Sequence, residues 1–251
     1  MEAVKRKGLN ANQIKLIAII AMTIDHLTWA FFSGTQAVWY VFALHIIGRL
    51  TAPIMWFFIA EGCYYTRSIW KYAGRLFIFA IVSHFAYNFA FGIPFLPFSQ
   101  GSIFNQTGVM WSLAWAVVLI AIVRDEKIKQ WVKILVIALV CVITFPSDWS
   151  CIAVMCPTFM YLHRGNFKRQ AIDIVVWTLL YAVIYFIFLD KLYGILQLFT
   201  FLTIPILAQY NGERGRKIPG TKWFFYIYYP AHLVVVGFIR LAVQGNVSII
   251  F

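Results

Sequence analysis

The sequence predicts an all-α protein, a polytopic transmembrane helical bundle, and three observations lead to this class. First, the 251 residues are 62% hydrophobic and only 12% charged, whereas soluble domains are about 45–50% apolar and about 25% charged. Second, the apolar residues form about nine stretches long enough to approach the roughly 20 residues of a membrane span. Third, the basic residues cluster in alternate loops. Because the polar stretches are short, residues 1–251 are expected to form a single integral-membrane domain.

Each predicted span is an apolar stretch bounded by polar, Gly or Pro residues. The candidates lie near 14–32, 40–64, 72–92, 108–123, 132–146, 150–163, 171–189, 194–210 and 223–243. The fifth and sixth are short, and two half-depth helices that meet at 146–149 would also explain them.

The distribution of basic residues predicts the orientation. With the N-terminus in the cytoplasm, all 21 Lys and Arg residues except Arg49, Lys191 and Arg240 lie on the inner side, as the positive-inside rule requires. The net charge of +12 is explained by this asymmetry, and no basic-aromatic groove indicates a nucleic-acid partner. The expected location is a bacterial cytoplasmic (inner) membrane, with membrane lipid as the surroundings.

Asp25 and His26 are adjacent inside the first span. A carboxylate at the centre of a membrane helix costs about 2.5–3.5 kcal/mol even on insertion scales, so such groups mark functional sites around a polar central cavity. Neighbouring residues point about 100° apart on a helix. Asp25 would therefore orient an imidazole from another helix and leave His26 for a substrate. A purely structural polar pair that locks two helices is the alternative.

The second span carries His45 and Arg49 on one face. Arg49 is permanently charged, so it must meet an anion or water. A ligand carboxylate, a thioester oxygen or Asp25 would serve, and an Arg that snorkels to the outer interface is the alternative. Glu61, further along this span, is either a second carboxylate of the site or a partner of Arg67 or Arg75.

Polar residues in two later spans are further candidates for the cavity wall. His84 and Asn88 share one face of the third span, where helix-packing hydrogen bonds are the alternative. Tyr229 and His232 flank Pro230 in the last span, and a proline kink often lines a cavity. His232 and His84 are reserve candidates for an acid/base role.

Two basic segments on the expected inner side have two possible roles. They either bind phosphate groups or only set the orientation of the chain in the membrane. Glycines and arginines together bind phosphates through charge and backbone amides. The residues concerned are Arg67, Lys71 and Arg75 before the third span and Asn211, Arg214, Arg216 and Lys217 before the last. The four cysteines show no spacing typical of a metal site, and no metal is expected.

Several of these segments, taken in order, resemble the TraX family. They are Asp25-His26, Gly48-Arg49 with Pro53, Glu61-Gly62, Thr66-Arg67, Lys71 to Leu76, Tyr210 to Gly215 and Tyr229-Pro230-Ala231-His232. The resemblance covers most of the chain and is weak around 93–190.

The resemblance implies conjugation and acetylation of a pilin N-terminus. By analogy with membrane acyltransferases that modify cell-surface sugars, it implies an enzyme that uses acetyl-CoA or another acyl-CoA as the acyl donor. The inner basic loops would bind the CoA phosphates, and the acceptor would be the amine or hydroxyl of a pilin, another peptide or a small molecule. His26 would be the general base, Asp25 its support and Arg49 the oxyanion stabiliser. A proton-coupled transporter and a non-enzymatic membrane partner of a pilin or other peptide are the alternative classes.

Overall fold

The structure is a computed structural model, and it describes residues 8–32, 34, 36–99, 103–216 and 221–245. In these ranges the chain is helical, apart from loops and two isolated β-bridges. The helices are α1 (Ala11–Phe31), α2 (Trp39–Gly48), α3 (Thr51–Tyr65), α4 (Ile69–Phe91), α5 (Met110–Val123), α6 (Gln130–Thr144), α7 (Ile152–Leu162), α8 (Phe167–Phe188), α9 (Lys191–Gln197), α10 (Thr203–Ala208) and α11 (Thr221–Gln244).

Six segments in the described ranges are long and apolar enough to cross a membrane. They are Ala11–Phe31, Trp39–Tyr65, Ile69–Phe91, Phe167–Phe188, Lys191–Ala208 and Trp223–Gln244. Large apolar side chains cover their outer surfaces, for example Ile81 on α4 and Ile187 on α8, both more than half exposed. Contiguous exposed apolar surface of this kind marks a membrane contact, so the protein is a multi-pass membrane protein.

The apolar stretches predicted around 108–123, 132–146 and 150–163 form the shorter helices α5, α6 and α7. At 1.5 Å per residue these helices are roughly 16 to 22 Å long, less than the roughly 30 Å of a hydrocarbon core. Much of α5 is nevertheless buried, with Leu113, Val117 and Ile120 almost inaccessible, because it packs against α4 and α7. The centre of the bundle therefore contains a helix too short to be a typical span.

Two predicted spans are broken where a continuous helix was expected. Helix α2 ends at Gly48 and α3 begins at Thr51, because Pro53 has no N–H to donate to the carbonyl of Arg49. The segment expected at 194–210 consists of α9, a 3-10 turn at Leu198–Leu202 and α10. Both breaks place polar side chains, Arg49 and Gln197, in the protein interior.

Candidate functional site

The polar centre of the bundle is built from Asp25 on α1 and two residues of the second span. The Asp25 carboxylate accepts a hydrogen bond from His45 Nδ1 at 2.8 Å and forms an ion pair with Arg49 Nη2 at 2.7 Å. Asp25 is 7% exposed and Arg49 4%. A buried charge requires a partner of this quality, and the network therefore explains how the interior tolerates both ions.

Close approach of α1 and α2 makes this network possible. Gly48 faces Asp25, and a Cβ at Gly48 would lie 2.4 Å from three side-chain atoms of that residue. No side chain larger than hydrogen fits without moving the carboxylate. The sequence Gly48-Arg49 thus supplies both the contact surface and the cation for Asp25.

The rest of the Arg49 guanidinium is also occupied. Nε donates to the carbonyl of His45 at 3.3 Å, and Nη1 lies 3.4 Å from both the Tyr193 hydroxyl and Gln197 Oε1. A guanidinium has five N–H donors. The described contacts, including the one to Asp25, leave one N–H of Nη2 available to a ligand, and Arg49 lines the cavity described below.

His26 forms a second polar cluster with His232 of α11. His232 Nδ1 lies 2.9 Å from the carbonyl oxygen of Tyr228, which can only accept, so this nitrogen carries a proton. In the neutral ring Nε2 is then an acceptor, and it lies 2.8 Å from His26 Nδ1. His26 must therefore be protonated at Nδ1. Its Nε2 keeps a free lone pair, which is the requirement for a base.

A cavity of about 490 Å³ lies beside both clusters. It follows α1 from Ala18 to Trp29, a distance of about 16 Å. Towards the start of α1 its wall is apolar; there it is formed by Ala18, Ile19, Met22, Met55, Leu113 and Phe225. Towards the end of α1 the wall is polar and aromatic; it includes Asp25, His26, Arg49, Tyr87, Asn105, Asp148, Tyr185, Asp190, Tyr193, Tyr228 and Tyr229.

Several of these residues were missed by sequence reasoning. Asp148 lies between α6 and α7, and Tyr193 lies in the short helix α9. Asp148 is one of nine acidic residues in the chain and sits at the junction of two short apolar stretches. This rarity of acids is the signal by which it could have been identified.

His45 and Glu61 were expected in the cavity wall, but in the structure neither residue lines the cavity. His45 is fully buried behind Asp25, so it supports the carboxylate and does not face the cavity. Glu61 forms a bidentate ion pair with Arg164, at 2.7 and 3.3 Å. The expected partners Arg67 and Arg75 were wrong, because α3 packs against α7 and this brings Arg164 to Glu61.

His84 and Asn88 hold the loop that follows α4. His84 Nε2 donates to the carbonyl of Phe95 at 2.8 Å, and Asn88 Nδ2 donates to that of Pro94 at 2.7 Å. Neither residue lines the cavity, so the expectation of a cavity wall is corrected to loop anchoring. Tyr229 does line the cavity, as expected. His232 does not line the cavity itself but hydrogen-bonds to His26, which does.

The basic residues that were expected on the inner side lie outside the cavity lining. Arg67, Lys71, Arg214 and Arg216 are exposed, and Arg75 is half-buried. The segment around Asn211 runs along the start of α1, where the carbonyl of Glu213 accepts from the Ala11 amide at 2.9 Å. Lys217 lies outside the described residues. Within the described ranges, His, Cys, Asp and Glu side chains form no group of three that could hold a metal ion.

The fold and site define a class: a multi-pass helical membrane protein with a buried, histidine-containing polar centre. The family model described as TraX protein matches residues 10–240, and the chain belongs to the TraX family. It is similar to a protein of Dichelobacter nodosus described as "Probable fimbrial assembly protein FimC, serogroup H1". The two are 28% identical over 245 residues, which cover 94% of this chain and 97% of that protein. No solved structure matches the chain.

Proposed function

We propose that this protein is an integral-membrane acyltransferase that moves an acyl group such as acetyl from acyl-CoA to an amine or hydroxyl. The observation that carries the proposal is the hydrogen bond between His26 Nδ1 and His232 Nε2, which assigns the His26 proton to Nδ1 when both rings are neutral. His26 Nε2 then has a lone pair, and His26 lines the same cavity as Arg49, which keeps one N–H of Nη2 beyond its described contacts. A general base and a cation in one cavity are the two groups that acyl transfer needs.

The reaction would proceed by attack of the acceptor nitrogen or oxygen on the thioester carbonyl carbon. The new C–N or C–O bond forms, the C–S bond breaks, and the proton of the acceptor passes to His26 Nε2. The departing thiolate of CoA then takes up that proton. Arg49 would stabilise the negative charge on the carbonyl oxygen through its remaining N–H, while Asp25 and His45 hold the guanidinium in place.

The acceptor is proposed to be a pilin or another peptide. This part rests on the name of the relative, which describes that protein as involved in fimbrial assembly. A small molecule with an exposed amine or hydroxyl would satisfy the same chemistry.

We further propose about nine spans in a bacterial inner membrane, with the N-terminus in the cytoplasm, because this arrangement places most basic loops inside. Single cysteines introduced at Ser68 and Asn211, in a background without the four native cysteines, should be protected from an impermeant thiol reagent in intact cells. Both should react after the membrane is permeabilised, and a cysteine at Gln36 should react before it. Labelling of Ser68→Cys or Asn211→Cys in intact cells would refute the orientation.

The acyl-CoA phosphates are proposed to bind the inner basic residues. Phe225, at the apolar end of the cavity, lies 5.4 Å from Lys15 Nζ, and the charge of Lys15 is within range of Arg214. Arg75 lies within electrostatic range of the next residue, Tyr226. Basic groups therefore surround the end of the cavity through which a thioester would enter from the cytoplasm.

Acetyl-CoA should raise the melting temperature of the detergent-solubilised protein. The double variant Arg67→Ala/Arg214→Ala should weaken acetyl-CoA binding by about tenfold or more, since each charge-assisted hydrogen bond contributes about 1.5–3 kcal/mol. Added salt should weaken binding to the unaltered protein. Arg169→Ala, which removes an exposed arginine at the start of α8, is the matched control. Absence of any acetyl-CoA effect would favour a transporter or a non-enzymatic partner.

A further inference from the structure

Among the described residues, the Asp148 carboxylate at the polar end of the cavity forms no ion pair. Asp148 lines the cavity, and the neighbouring Trp149 amide lies within interaction range of its side chain. Arg49 is close enough to attract it, but the ion pair of Arg49 is with Asp25. Asp148 is thus free to receive a cation from the cavity.

The backbone around Asp148 is held in an unusual conformation. The Asp148 amide donates to the carbonyl of Thr107 at 2.8 Å, and the Gln106 amide donates to the carbonyl of Pro146 at 2.6 Å. Trp149 and Ser150 follow with φ of 62° and 49°, in the left-handed region that such residues seldom adopt. Strained backbone of this kind persists where the surrounding structure enforces it, often at functional sites.

Aromatic residues surround this carboxylate. Tyr87, Tyr185, Tyr193 and Tyr229 line the cavity and lie within electrostatic range of Asp148. Aromatic faces attract a cation within about 6 Å of the ring centroid. A carboxylate with several aromatic rings is therefore a suitable receptor for an ammonium group.

The charged residues of the cavity wall also favour a positively charged ligand. Asp25 and Arg49 compensate each other, which leaves Asp148 and Asp190 as the acidic residues of the wall. The chain as a whole carries a net charge of +12. The acidic polar end thus contrasts with the rest of the protein and favours a positively charged ligand over an anion.

We infer that Asp148, with the tyrosines around it, binds the protonated amine of the acceptor. The role as acceptor site rests on the proposed function, whereas the binding of an ammonium group does not. Asp148 would select an amine over a hydroxyl of the same shape, because only the amine carries a charge. The bound ammonium must release one proton to water before it can attack a thioester, and His26 Nε2, on the wall of the same cavity, then takes the second proton as the C–N bond forms.

The test compares two peptides with amidated C-termini that differ only in their N-terminal group. Triglycine amide carries a free amine, and hydroxyacetyl-glycylglycine amide carries a hydroxyl in its place. Binding is measured by isothermal titration calorimetry on protein in lipid nanodiscs, without acyl-CoA, at about pH 6.5, where an α-amino group is protonated. The unaltered protein should bind the amine peptide about tenfold or more tightly than the hydroxyl peptide, as a charged hydrogen bond predicts.

Asp148→Asn should remove most of this preference, and Asp148→Glu should retain part of it. Asp190→Asn is the matched control: it deletes another carboxylate of the wall, and asparagine can still cap α9 through the Tyr193 amide, as Asp190 does. Its preference should fall clearly less than that of Asp148→Asn, because the proposed site places the ammonium against Asp148 and a charge–charge interaction weakens with distance.

Equal binding of the two peptides to the unaltered protein would overturn the inference, even if Asp148→Asn does not fold. Equal losses in Asp148→Asn and Asp190→Asn would also overturn it, since the field of the whole cavity would then be responsible. Because acyl-CoA is absent, this binding result does not depend on catalysis. A preference for the amine here, together with no acyl transfer in a separate assay that contains acetyl-CoA, would refute the enzyme and leave the ammonium site intact.

Discussion

Replacing His26 with alanine is expected to reduce acyl transfer by about a hundredfold to ten-thousandfold, the usual contribution of a general base. The reason is the free lone pair on Nε2, which the hydrogen bond from Nδ1 to His232 produces. Transfer from radiolabelled acetyl-CoA to a mixture of peptide and small-molecule acceptors measures the effect. The variant should still bind acetyl-CoA, as its effect on the melting temperature will show.

The matched control is another histidine of the same bundle. His84→Gln keeps a donor for the carbonyl of Phe95 and should transfer at nearly the normal rate. His232→Gln retains an acceptor for His26 Nδ1 and should keep more activity than His232→Leu, which lacks one. Normal turnover in His26→Ala would exclude this residue as the base. Normal turnover in the His26, His84 and His232 variants together would exclude the acid/base mechanism.

Asp25→Asn is expected to lower the stability of the folded protein by about 3–5 kcal/mol, the cost of leaving one member of a buried ion pair without its partner. The change removes the charge that balances Arg49 and weakens the acceptor for His45. Thermal unfolding in detergent micelles, followed by circular dichroism, should show a clearly lower midpoint. Asp125→Asn is the control, because Asp125 is exposed in the loop between α5 and α6.

A double variant separates the loss of charge balance from the loss of packing. Asp25→Asn with Arg49→Gln removes both ions and should be more stable than Asp25→Asn alone, since no uncompensated charge remains. Gly48→Ala alters neither ion but crowds Asp25, and overpacking of this kind costs about 1–3 kcal/mol. If Asp25→Asn unfolds at the same temperature as Asp125→Asn, the ion pair does not stabilise the bundle.

The sequence alone predicted the helical class and the approximate position of each apolar helix. Hydropathy does this because a chain in lipid must satisfy its backbone hydrogen bonds within each segment. It also identified Asp25, His26 and Arg49 as residues of the polar centre, since an ionisable group inside an apolar stretch requires a partner. It did not predict the break after Gly48 or the division of the 194–210 segment, because both depend on which neighbours receive the freed backbone groups.

The partners of the polar residues were decided by the tertiary structure. His26 meets His232, which is 206 positions away, because α1 packs against α11. Glu61 meets Arg164 and not the nearer arginines, because α3 packs against α7. Asp148 belongs to the cavity only because a strained loop brings it there from between two short helices. The sequence by itself determined that buried charges need partners, whereas helix adjacency and rotation, which are long-range packing properties, decided which partners they have.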